Sequence, residues 1–266
     1  ILEDEVLGEE AAKLFADALA MIERFIENDT VQAHAVFGIF PANTVAADDI
    51  EIYRDAARTE VFDTVVGLRQ QTVHAAERPN LSLSDFIAPK DSGVADYIGA
   101  FAVTAGIGLD KLVSQYAAEQ DDYNSIMAKA VADRLAEAFA EWLHREVRTQ
   151  YWPYAADEDL SHEALIKEQY RGIRPAPGYP ANPDHTQKAI IWDLLKPVEN
   201  VGIELTESWA MLPAASVSGW YFSHPESCYF GVGKLDRDQV EDYAMRKGIV
   251  LAEAGRLLGP NLAYEP

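Results

Sequence analysis

Between Arg171 and Thr186 the chain reads RGIRPAPGYPANPDHT, and Pro175, Pro177, Pro180 and Pro183 all fall in that short span. Each proline fixes φ and removes an N–H donor, and each residue before a proline is pushed out of the α region. The run can be neither helix nor central strand. A stiff, extended loop is expected, with its free carbonyls facing outward. Gly172 and Gly178 allow backbone conformations and close approaches that a Cβ would forbid. Such a ribbon holds Arg174 and the carbonyl of Ala176 in place at little entropic cost on binding, which suits a ligand site.

Composition narrows what that ligand can be. A formal net charge of −22 argues against nucleic acid or an anionic membrane, since both need neutralising by Lys and Arg. It is compatible with a small cationic ligand. The sole cysteine, Cys228, excludes an internal disulfide framework and a multi-thiolate metal site. No apolar run approaches the roughly 18 residues of a membrane span. The opening Ile1-Leu2-Glu3-Asp4-Glu5 lacks the basic stretch of a secretory leader, so a reducing cytoplasm is expected.

The 266 residues can bury a sizeable core, and one domain is the simplest expectation. Apolar spacing predicts helices over Glu9–Glu27, Asp110–Glu119 and Tyr123–Thr149. Further helices are expected over Arg237–Lys247 and Leu251–Leu258, and from an N-cap at Thr186 through Leu195. Strands are expected at Val31–Phe40, stopping at Pro41, and at Tyr97–Thr104. Ile50–Tyr53 and Val61–Arg69 read as a hairpin pair. Val217–Phe222 and Tyr229–Val232 read as paired strands around the turn His224-Pro225-Glu226-Ser227. There is no regular βαβ repeat, so the expected class is α+β: a mainly antiparallel sheet flanked by helices, not a Rossmann fold.

RGIRPAPGYPANPDHT resembles a loop of the S-adenosylmethionine-binding activation domain of cobalamin-dependent methionine synthase. Other segments follow in that family's order: PANTVAADDIEIY (Pro41–Tyr53), LRQQT (Leu68–Thr72), DYIGAFAVTAG (Asp96–Gly106), ADRLAEAFAEWLH (Ala132–His144) and SGWYFSHPESCYF (Ser218–Phe230). The likeness runs from about Ile1 to Tyr264. It implies a reactivation module that holds S-adenosylmethionine, so that its methyl group and one electron from flavodoxin or a related reductase restore methylcobalamin after oxidation to cob(II)alamin. Cobalamin itself belongs to a separate module, whose Asp-x-His-x-x-Gly element is missing here. The resemblance further implies that the family's domain extends upstream, with an aspartate that helps hold the ligand's amine, so residues 1–266 read as a domain truncated on that side.

The site residues carry two readings each. Arg174 can hold a carboxylate through two parallel charge-assisted bonds, each worth roughly 1.5–3 kcal/mol away from water; it can equally brace the loop against an acid such as Asp184. By resemblance, Arg174 and Ala176 contact the methionine tail and adenosine. Of Tyr229 and Phe230, adjacent rings on a strand face opposite ways, so one can meet a ligand while the other enters the core; both can also be core. The resemblance puts this pair against adenosine, where a ring face near a sulfonium gains roughly 0.5–2 kcal/mol. Glu137 is carried over within ADRLAEAFAE as a partner for the ligand's ammonium, or is a solvated helix-surface glutamate. Glu168 is a weaker candidate.

Other patterns carry less. Glu141-x-x-His144 has the spacing of a di-iron ligand pair but lacks its second copy. His162, His185 and His224 form no recognisable zinc set, with His185 read as bracing or capping the loop, and the Gly-x-Gly pairs at Gly106 and Gly231 lack the third glycine of a dinucleotide loop. Asn182 stands where the family often has cysteine, so a thiol there is not essential. No residue need act as acid, base or nucleophile. Two rivals remain: a docking module for the cobalamin domain and flavodoxin whose pocket has decayed, and a free-standing S-adenosylmethionine-dependent methyltransferase.

Overall fold

The computed structural model describes residues 4, 6–46, 48–73 and 78–265; most of the opening segment read above for a leader lies outside them. Its elements in order are α1 (Gly8–Asn28), β1 (Gln32–Val45), β2 (Asp49–Tyr53), β3 (Val61–Val65), β4 (Asp96–Ile107), α2 (Leu109–Ala118), α3 (Asp122–Glu146), α4 (His162–Ile166), α5 (Lys188–Leu195), α6 (Pro197–Val201), β5 (Glu204–Leu205), β6 (Met211–Leu212), β7 (Ser216–Tyr221), α7 (Arg237–Lys247) and α8 (Leu251–Leu257). A five-stranded sheet runs β3-β2-β1-β4-β7, and β5 and β6 form a small separate ribbon. Both β1–β2 and β2–β3 are antiparallel, with Ala42 opposite Ile52 and Ile50 opposite Val65. Among the described residues no helix is long and apolar enough to cross a membrane.

The chain forms two compact units. The first comprises residues 1–36, 102–143 and 197–217; the second comprises 37–101, 144–196 and 218–266. In the first, Met21 and Phe25 of α1 pack with Leu109 of α2, Met127 and Val131 of α3, and Ala105 of β4. The apolar stripe of α1 is only partly used, since Leu14, Phe15 and Ile26 stay exposed. In the second, Val240, Tyr243 and Ala244 of α7 and Ala254 of α8 close over Val66, Leu68 and Val232.

Three local expectations are corrected. β1 continues through Pro41 to Val45. The β1–β2 ladder begins at Ala42, so the missing Pro41 N–H removes no bond from it. Tyr229–Val232 is not a strand. The Val232 N–H instead donates to the Pro180 carbonyl, and its own carbonyl accepts from Gln71. The helical run after the proline loop is capped by Asp184 rather than Thr186: the Asp184 carboxylate accepts from the Thr186 N–H at 2.8 Å.

Candidate functional site

The proline loop is less extended than its composition predicts. Ile173 exchanges both backbone bonds with Phe222, and the Trp220 N–H donates to the Pro175 carbonyl at 2.9 Å. Beyond that point the chain folds into two consecutive turns. The Tyr179 N–H donates to the Ala176 carbonyl, with Pro177 and Gly178 (φ 95°) between them, the residue order of a type II turn. The Asn182 N–H then donates to the Tyr179 carbonyl, and Gly178 N–H closes back on Asn182. The carbonyls expected to face outward are therefore tied inward, that of Ala176 included. Stiffness comes from turns and cross-bonds as well as from proline.

Asp184 locks the far end of the loop. It is fully buried and takes an ion pair from Lys247 and hydrogen bonds from Tyr243 and Thr186. Burial works against its ionised form, yet the Lys247 charge and these hydrogen bonds hold its pKa below the ordinary carboxylate value. Asp184 thus braces the loop through Lys247, which leaves it unavailable to Arg174.

Arg174 is half-buried at the near end. Its Nη1 donates to the Tyr170 hydroxyl at 2.9 Å and meets His144 Nδ1 at 3.4 Å. Its backbone N–H donates to the Tyr229 hydroxyl at 3.1 Å, and the Tyr229 and Tyr170 hydroxyls lie 3.2 Å apart. Tyr229 is held by the LRQQT segment, because Gln70 Nε2 donates to the Gly231 carbonyl and Gln71 N–H to that of Val232. Phe230 turns toward the core and meets Phe86 edge-on at 6.3 Å. One ring faces the arginine and the other the interior, through a loop rather than a strand.

Under Arg174 lies a group of side chains that the sequence reading missed. α3 is followed by a wider π-helical turn, Val147–Tyr151, which ends as the chain reaches Pro153. That turn buries Arg148 completely. Arg148 Nε donates to Glu158 at 2.8 Å and Nη2 lies 2.7 Å from the same oxygen, while Nη1 has no hydrogen-bond partner among the described residues. The guanidinium carbons of Arg148 and Arg174 stand 4.7 and 5.6 Å from the centroid of the Tyr170 ring. The spacing of His144 and Arg148, four residues apart on a helix, was the available signal.

Arg174, Ala176, Tyr229 and Phe230 all belong to the second unit; Glu137 belongs to the first. Glu137 is exposed on α3, where its charge acts on Arg134 one turn earlier. Glu168 is exposed, with a left-handed backbone (φ 54°) just past α4. Asn182 is buried and points its amide at Gln187, so its side chain faces inward.

A donor-rich cluster of arginine and tyrosine on a rigid loop suits a small ligand with a carboxylate. The family model "Vitamin B12 dependent methionine synthase, activation domain" matches residues 1–248. The chain belongs to this family. The crystal structure of a MetH reactivation domain bound to AdoHcy is similar over the whole chain and 81% of its own length, with 58% sequence identity and a TM-score of 0.95. The α+β, non-Rossmann expectation is thereby borne out. As a methionine synthase activation domain, the chain is a module of a methyltransferase.

Proposed function

We propose that this activation domain binds S-adenosylmethionine at Arg174, Ala176, Tyr229 and Phe230. The observation that carries the reading is the fixed guanidinium of Arg174, tied to Tyr170 and His144 within a loop whose backbone is locked at both ends. The similar domain was crystallised with AdoHcy, the product left when S-adenosylmethionine gives up its methyl group. The chemistry of these residues fits such a ligand: a guanidinium for the carboxylate, and a half-exposed phenol at Tyr229 for the nucleoside end.

The domain's work is positional. It presents the methyl group to cobalamin on another module, and cobalamin supplies the nucleophile. One electron comes from flavodoxin or a related reductase. Residues 1–266 act as one activation domain in the cytoplasm, without turning over alone. Titration calorimetry tests the site: Arg174→Ala should weaken S-adenosylmethionine binding at least tenfold, about 1.4 kcal/mol. An unchanged affinity removes Arg174 from the site.

A further inference from the structure

We infer that His144 is the positioning residue that aims Arg174 at its ligand, by accepting a guanidinium N–H at Nδ1 while Nε2 is anchored on Tyr154. The inference rests on the proposed role of Arg174 in holding the ligand's carboxylate.

A guanidinium has only donors. The contact between Arg174 Nη1 and His144 Nδ1 is therefore a hydrogen bond only if Nδ1 carries its lone pair, which puts the ring proton on Nε2. Nε2 stands 3.1 Å from the Tyr154 hydroxyl and donates to it. The ring is held in plane as well. It stacks on Tyr221 at 5.0 Å and 9°, and Tyr221 stacks on Phe101 at 4.6 Å and 13°. Tyr170 meets it edge-on at 5.1 Å. His144 is fully buried, so no water competes for Nδ1.

The groups facing His144 are Arg174 from the loop, Tyr170 just before it, Arg148 from the π-helical turn, Tyr154 beyond that turn, and Tyr221 from β7. The charged groups among them are both cations. Burial, and then the Arg148 and Arg174 charges, hold the imidazole pKa well below its ordinary value. Protonation would remove the acceptor and add a third positive charge. The sign follows from linkage: above the unfolded-state pKa His144 has no effect on stability, and below it the unfolded chain takes up the proton first, so stability falls as pH drops. Binding responds only when pH falls through the depressed folded value.

The test is S-adenosylhomocysteine binding by calorimetry, with thermal unfolding as the fold control. His144→Phe keeps the stacked ring without an acceptor and should weaken binding about tenfold. His144→Asn restores an acceptor near the Nδ1 position and should bind within about threefold of the parent protein. In an Arg174→Ala background, His144→Phe should cost nothing further. If His144→Phe binds as the parent does, or loses the same factor with and without Arg174, the positioning role is overturned. Should His144→Phe not fold, ¹⁵N NMR of the parent protein decides: an Nε2–H tautomer at neutral pH supports the role, and an Nδ1–H tautomer overturns it. A parent protein that does not bind S-adenosylhomocysteine overturns the proposed site itself, and this inference with it.

Discussion

Glu158→Ala is expected to destabilise the protein by about 3–5 kcal/mol, the usual loss when one partner of a buried ion pair is removed. Arg148 has no exposed side-chain surface and Glu158 retains only 11%, so the guanidinium left behind could not reach water. The Tyr170 ring offers Arg148 only its π face, which cannot replace a carboxylate. A urea titration should show the loss as a lower midpoint with an unchanged slope. Replacing the pair together, as Arg148→Met with Glu158→Leu, should recover most of the stability, because two matched apolar side chains carry no desolvation penalty. A Glu158→Ala loss under about 1 kcal/mol would mean the pair behaves as a solvated surface bridge instead.

Gly172→Ala is the second large effect, expected at about 2–4 kcal/mol from backbone strain and overpacking together. Gly172 has φ of 87°, and a Cβ there would stand 2.5 Å from the Phe222 carbonyl oxygen and 2.7 Å from the Tyr154 hydroxyl. The carbonyl belongs to the backbone bridge with Ile173 and cannot move without breaking it. Displacing the Tyr154 hydroxyl would disturb His144, so weaker ligand binding should accompany the lost stability. Gly248→Ala is the matched control. Its φ is 71° but nothing lies within 4 Å of the added carbon, so only the left-handed strain of about 1 kcal/mol should appear. Equal losses in the two variants would refute the steric argument.

What the sequence disclosed follows from how local each signal is. α1 and α7 lie within a residue or so of their expected ends, because apolar spacing and the Asp236 capping box are written in adjacent residues. The β2–β3 hairpin was legible for the same reason. Tyr229–Val232 misled because aromatic and β-branched composition suits any half-buried extended segment, and whether its N–H groups meet a strand or a loop is decided by residues far away. The site divided along the same line. Arg174 stood out because four prolines and two glycines around it leave few conformations. His144, Arg148, Tyr154 and Tyr170 gave no such warning, since their meeting depends on a π-helical turn and on the loop crossing β7. His144 also sat in a pattern suggestive of metal binding, while its ring nitrogens are engaged by a guanidinium and a phenol.

Two of the backbone bonds that fasten the ribbon to its surroundings are accepted by prolines, Pro175 from Trp220 and Pro180 from Val232. A proline contributes no exchangeable amide hydrogen of its own. At these two points the reporters are thus the Trp220 and Val232 amides, both outside the ribbon. Each time the ribbon lifts, one hydrogen at each anchor becomes open to solvent, so deuterium uptake at those two positions gauges how often the ribbon comes away without any label on the ribbon itself.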